Sequence, residues 1–160
     1  MGIQALFGLS ILMSFVAFGV VTKLYIWPRV RTLERDQALL PLVVPHTFRF
    51  IGLSFLVPGV VSPSLPSAYA APAAYGDMVA AILAVVSTIA LSRRMSLATP
   101  VVWVFNVWGT ADLLFAFFQG FRVELDASMF GAAFFIPTAV VPALLIMHGL
   151  IFWLLVRPRQ

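Results

Sequence analysis

Four ionisable side chains lie inside long apolar stretches of this 160-residue sequence, where charged groups are rare and commonly functional. Asn106 and Trp108 precede one of them, Asp112, by six and four residues on the same stretch. Side chains of these types bind ligands, transfer protons or hold helices together. The sequence therefore predicts a ligand-binding set, which consists of His46, Arg49, Asn106, Trp108, Asp112 and His148. It assigns no catalytic residue and no metal ligand.

Arg49 and Asp112 are expected to lie at one depth. With a rise of 1.5 Å per residue, they stand roughly 17 and 18 Å from the ends of their apolar stretches. Because an unpaired charge is costly in hydrocarbon, we predict an Arg49–Asp112 ion pair between two helices. The remaining guanidinium donors would reach Asn106, a backbone carbonyl or a bound anion. Either a ligand site or a purely structural salt bridge fits this pair. Substitution of either residue by alanine should lower the folded yield in detergent, and an exchange of the two charges should partly restore that yield.

The two histidines, His46 and His148, are each expected roughly 12 Å from the same end of the bundle. Paired imidazoles at one depth could ligate a haem iron from opposite faces. Alternatively, a histidine in a helical bundle forms hydrogen bonds to a neighbouring helix. Haem therefore stays an option, and no other cofactor is predicted.

The helical period and the position in the sequence assign the other polar residues to a helix face or to the outer boundary. Trp108, Asp112 and Gln119 share one helical face, which points inward if Asp112 does, whereas Thr110 falls on the side of Asn106. Three further acidic residues are predicted to be solvated charges at the outer boundary, namely Asp77, Glu124 and Asp126.

The elements that carry these residues follow from composition. The chain is 62% hydrophobic and 10% charged, whereas soluble domains are about 25% charged. A chain of this size cannot bury so much apolar surface, which excludes a soluble enzyme and a disordered tail. We predict an all-α integral membrane protein, a single domain over residues 1–160 with five transmembrane helices. The predicted spans are residues 5–27, 38–61, 76–92, 100–120 and 130–156. Pro137 and Pro142 are expected to kink the last span.

The distribution of basic residues predicts the orientation. Eight of the ten Lys and Arg residues fall on one side of the predicted spans: Lys23, Arg29, Arg31, Arg35, Arg93, Arg94, Arg157 and Arg159. The positive-inside rule then places the N-terminus outside and the C-terminus in the cytoplasm, in a cell membrane of the bacterial inner-membrane type. Trp27, Trp103 and Trp153 fall near the cytoplasmic ends. The net charge of +4 thus reports topology, and no nucleic-acid partner is expected.

The loops and small residues suggest further contacts. The stretch from Ser62 to Pro72, with three prolines and no charge, is predicted to lie along the outer interface as a cap or, alternatively, as a gate. Ala80, Ala84 and Thr88 recur at spacing four, which allows close helix approach within the chain or in a homo-oligomer. Membrane lipids are the other expected partners.

Three classes of function remain open. The sequence contains no HExxH, Walker A or GxSxG motif, and no cysteine. We favour the binding or transport of a small apolar or anionic ligand. The alternatives are an intramembrane acid–base enzyme acting on a lipid or isoprenoid, and an accessory subunit in which the polar pair is structural.

Overall fold

The computed structural model describes residues 2–157, so Arg159 of the predicted basic tail lies outside the described residues. The regular elements within this range are helices. Five of them are long and apolar enough to cross a membrane: α1 Ile3–Val30, α2 Arg35–Leu56, α3 Ser67–Ser92, α4 Ala98–Arg122 and α5 Ile136–Val156. A short 3₁₀ segment, Ala127–Phe134, precedes α5. The all-helical class and the five apolar helices are thus confirmed.

Helices α2 to α5 pack into a four-helix bundle, and α1 lies against its outside, mainly on α5 and on the preceding segment. The bundle has two apolar cores. One contains Leu39, Phe105 and Ile151, and the other contains Phe55 and Phe130. Four of the candidate residues, His46, Arg49, Asn106 and His148, are buried on helices of this bundle.

The second half of α2, Val44–Leu56, is a 3₁₀ helix. A 3₁₀ helix has three residues per turn, so residues three apart stand directly above one another. Its buried residues follow that period: His46, Arg49, Gly52 and Phe55. Pro41 and Pro45 lack the N–H group that an α-helix would need here, which favours a departure from α geometry at this point. The 3₁₀ conformation therefore turns the histidine and the arginine towards the same neighbours.

Helix α3 begins at Ser67, nine residues before its predicted start at residue 76. The predicted outer loop is therefore wrong from Ser67 onward, because an alanine-rich stretch is a strong helix former even with Pro72 inside it. Pro72 cannot donate a hydrogen bond to the Ala68 carbonyl one turn earlier. The Gln119 side chain of α4 donates to that carbonyl instead, at 3.2 Å. A neighbouring helix thus satisfies the group that the proline leaves free.

The predicted fifth span, residues 130–156, is interrupted. Gly131 adopts a φ of 50° and a ψ of −129°, which ends the helical course of the segment before α5. A Cβ at this position would lie 2.4 Å from the Val60 carbonyl oxygen, so only glycine fits. That oxygen accepts a hydrogen bond from the Ala132 amide at 2.8 Å. The connection between α2 and α3 is thereby fixed to the start of the last span, where Pro137 lies in a π turn.

Three of the basic residues that the sequence placed on one side, Arg31, Arg35 and Arg157, lie together at one end of the bundle. Arg157 donates to the Arg31 carbonyl at 2.9 Å, and Arg35 donates to the Arg157 carbonyl. Trp27 and Trp153 stack at this end with ring centroids 4.6 Å apart.

Candidate functional site

Arg49 lies at the centre of the bundle with 1% of its surface exposed, and each guanidinium nitrogen contacts a protein acceptor. Nη2 donates to Asp112 Oδ2 at 2.6 Å, which confirms the predicted ion pair. Nη1 donates to the Gly109 carbonyl at 3.1 Å, so a backbone carbonyl is one of the further acceptors. Nε donates to Asp77 Oδ1 at 2.7 Å. Arg49 is therefore held by two carboxylates.

The position of Asp77 corrects the prediction that it is a solvated boundary charge. Because α3 starts nine residues early, Asp77 lies well inside the helix, where it is 7% exposed. The available sequence signal was its place in a stripe of small residues. Ala73, Ala80 and Ala84 stand at helical spacing from Asp77 and are all buried. The same burial places Ala80 and Ala84 in packing within the chain.

His148 is joined to Asn106 by two hydrogen bonds. Asn106 Nδ2 donates to the His148 carbonyl at 3.3 Å, which leaves Asn106 Oδ1 as the acceptor 2.6 Å from His148 Nδ1. His148 Nδ1 therefore carries a proton. Its Nε2 lies 3.5 Å from Arg49 Nη1 and faces the cation with a lone pair. Thr110 donates to the Asn106 carbonyl at 2.7 Å, on the predicted side of α4.

His46 and His148 meet, as their common depth predicted, with ring centroids 4.2 Å apart. Phe105 packs edge-on against His46 at 5.0 Å. In the described part of the chain, neither ring nitrogen of His46 has a hydrogen-bond partner. A haem held between the two rings does not fit, because the imidazoles contact each other and leave no space for a macrocycle. Within residues 2–157, no group of three or more His, Asp or Glu side chains is arranged to hold a metal ion.

Three glycines allow these polar side chains to approach neighbouring backbones. A Cβ on Gly52 of α2 would lie 2.2 Å from Asp77 Oδ2. A Cβ on Gly76 of α3 would lie 1.7 Å from Asp112 Oδ1, and one on Gly109 of α4 would lie 2.7 Å from His148 Cε1. Each of these helices thus presents a glycine to a polar side chain of another helix, and the cluster depends on all three.

Trp108 does not join the cluster, contrary to the predicted inward stripe. It is 45% exposed on the outside of the bundle, and its indole nitrogen lies 3.4 Å from the Gly76 carbonyl. Gln119, further along that stripe, is buried.

The outer acidic residues other than Asp77 lie beyond α4, as predicted. Glu124 follows the end of the helix with a φ of 49°. Asp126 accepts hydrogen bonds from the Ser128 amide and hydroxyl, which hold the pKa of its carboxyl below the ordinary value. These two residues therefore belong to the connection between α4 and α5.

A cavity of about 290 Å³ lies between α1, α4 and the region that precedes α5. Its walls are mainly apolar and aromatic, and they include Phe7, Gly8, Ala116, Phe117, Phe121 and Phe130. Phe121 is 84% exposed, so the cavity reaches the protein surface at the end of the bundle opposite the arginine-rich one. The volume is close to the lower end of the range for small-molecule sites, about 300–1,000 Å³.

A smaller void of about 20 Å³ adjoins this cavity and is lined by Asp77 and Asp112. The two spaces share Tyr69 and Leu113 as walls. Tyr69 is 5% exposed, and within residues 2–157 its hydroxyl has no hydrogen-bond partner. The apolar cavity thus lies next to the void that the two carboxylates line, with Tyr69 on the walls of both.

Comparison with known proteins assigns a family without a function. Residues 6–156 match the family described as Domain of unknown function (DUF8737), and the chain belongs to that family. No curated protein matches the chain. No solved structure matches it either.

Proposed function

We propose that this member of the DUF8737 family is a multi-pass membrane protein of the bacterial inner-membrane type, which binds a small apolar molecule inside its helical bundle. The exposed surface supports the location. Residues Ile3–Val21 of α1 are strongly apolar, and none of them is buried within the chain. Such a helix is stable only where the surroundings are themselves apolar, so membrane lipids are the natural partners.

The orientation that we propose has the N-terminus outside and the C-terminus in the cytoplasm. Because the chain has no cysteine, single cysteines can be introduced and labelled from one side. Ser64 and Ser96 are exposed at opposite ends of the bundle and form a matched pair. In intact cells, a membrane-impermeant maleimide should label Ser64→Cys and should label Ser96→Cys only after lysis. The reverse pattern would overturn the orientation, and equal labelling of both in intact cells would overturn membrane insertion.

The cavity next to α1 is the observation that carries the binding function. Its aromatic walls offer apolar contact, and its position beside the peripheral helix α1 gives a route from the surroundings. Apolar contact area is the main source of affinity in such sites. A bound molecule of a size close to the cavity volume would therefore be held chiefly by its hydrocarbon part.

An anionic ligand has less support than an apolar one. The guanidinium of Arg49 is the cation expected to attract an anion, and its nitrogens already contact Asp77, Asp112 and the Gly109 carbonyl. Two carboxylates also surround one guanidinium, so an anion would meet repulsion. We therefore retain the apolar ligand as the proposal.

The test uses 4-phenylbutan-1-ol as a neutral probe and titration calorimetry on the purified full-length protein in a nonionic detergent. We expect saturable binding that Ala116→Trp abolishes, because Ala116 lines the cavity and an indole would occupy it. The matched control is Ala111→Trp, which places the same side chain on the exposed face of α4. It should bind as the unmodified protein does. Absence of saturable binding, or equal binding by the two variants, would overturn the proposal.

A further inference from the structure

We infer that the ligand of this cavity is an apolar amine, whose ammonium group lies in the small void against Asp112 and Asp77. This inference rests on the proposed binding function and specifies the chemical class of the ligand. It combines a charge excess in the polar cluster, an unpartnered phenol at the boundary, and the aromatic walls of the cavity.

The charge excess follows from the contacts of Arg49. One guanidinium faces two carboxylates, so the three side chains carry one uncompensated negative charge when both carboxylates are ionised. Neighbouring side chains do not supply a second cation. His148 presents a lone pair to Arg49, and Asn106 is neutral. A ligand with a positive charge would therefore complete the cluster.

The accessible edge of the cluster is on its carboxylate side. Arg49, His46 and His148 are at most 1% exposed, whereas the side chains of Asp77 and Asp112 each keep 10% exposure. Both aspartates line the void that adjoins the cavity. A ligand reaching inward would thus meet carboxylate oxygens and not the guanidinium.

The boundary between the two spaces is suited to a cation. Tyr69 is nine-tenths buried, lines both spaces and has a hydroxyl without a partner in the described range, so it can accept a hydrogen bond from an ammonium. Its ring packs edge-on against Phe55 and Phe130 at centroid distances of 5.9 and 5.7 Å. Aromatic faces beside carboxylates are the usual surroundings of bound ammonium groups.

The test compares three probes with one tail, 4-phenylbutylamine, 4-phenylbutan-1-ol and 4-phenylbutyrate, by titration calorimetry at neutral pH in the same nonionic detergent. We expect the amine to bind about tenfold more tightly than the alcohol, because charge-assisted hydrogen bonds are roughly twice as strong as neutral ones. The carboxylate should bind more weakly than the alcohol. Heats measured with Ala116→Trp serve as the micelle background.

Substitution of Asp112 then tests whether the ammonium group of the amine binds at this carboxylate. Asp112→Asn should bring the amine to the affinity of the alcohol, whereas Asp36→Asn, which removes a carboxylate at the opposite end of the bundle, should not. If Asp112→Asn does not fold, the three probes on the unmodified protein still decide the inference. An alcohol that binds as tightly as the amine would overturn the amine inference and leave the proposed function standing. Absence of binding by all three would overturn both.

Discussion

Gly76→Ala is expected to unfold the bundle at a markedly lower temperature, although alanine normally stabilises a helix. A Cβ on Gly76 would lie 1.7 Å from Asp112 Oδ1, so the carboxylate or the α3 backbone must move. Overpacking of this kind costs about 1–3 kcal/mol, and separation of Asp112 from Arg49 would raise the loss towards the roughly 3–5 kcal/mol of a broken buried pair. The measurement is thermal unfolding of the purified protein in detergent, followed by size-exclusion chromatography.

Gly149→Ala is the matched control for this prediction. Gly149 lies within α5, and nothing stands within 4 Å of a Cβ built on it. Alanine is favoured over glycine by about 0.5–1 kcal/mol in a helix interior, so Gly149→Ala should be neutral or stabilising. Gly109→Ala, which would bring a Cβ to 2.7 Å from His148 Cε1, should behave like Gly76→Ala. Equal stability of the Gly76 and Gly149 variants would show that the close approach is not required.

Much of the polar cluster was predictable because buried charges must find partners at their own depth. Counting residues from the ends of the apolar stretches was sufficient to pair Arg49 with Asp112 and His46 with His148, and both contacts are present. The contact of Arg157 with Arg31 and Arg35 was predictable for a similar reason, since all three residues flank the ends of apolar stretches. These features depend only on the positions of residues along the chain.

The rest depended on local backbone geometry that hydropathy does not record. Asp77 was placed at the boundary because Pro72 made residues 67–75 look like a loop, whereas Gln119 satisfies the carbonyl that the proline leaves free. Trp108 was placed inside because it stands one helical turn before Asp112, yet its side chain is 45% exposed. The cavity could not be predicted either, because its walls come from α1, α4 and an irregular segment that are distant in sequence.

Arg49→Met is expected to be the most destabilising single substitution in the cluster. It removes the cation and leaves Asp77 and Asp112 facing an apolar side chain, and it also removes the hydrogen bond to the Gly109 carbonyl. Removal of one member of a buried ionic group costs about 3–5 kcal/mol, because the remaining charge stays buried without compensation. We expect little folded protein in detergent extracts, measured as the monodisperse fraction in size-exclusion chromatography.

Neutralisation of the whole group separates the charge effect from the loss of packing. The triple variant Arg49→Met, Asp77→Asn, Asp112→Asn keeps the shape of the acidic side chains and should recover part of the folded yield, since it removes the uncompensated buried charge that makes a broken ionic group so costly. The exchange Arg49→Asp with Asp112→Arg should not recover it, because the carboxylate introduced on α2 would then face the carboxylate of Asp77. The sequence alone favoured recovery by this exchange, since Asp77 was not expected in the cluster. If the exchange folds as well as the unmodified protein, Asp77 does not share Arg49, and the three-residue ionic cluster is wrong.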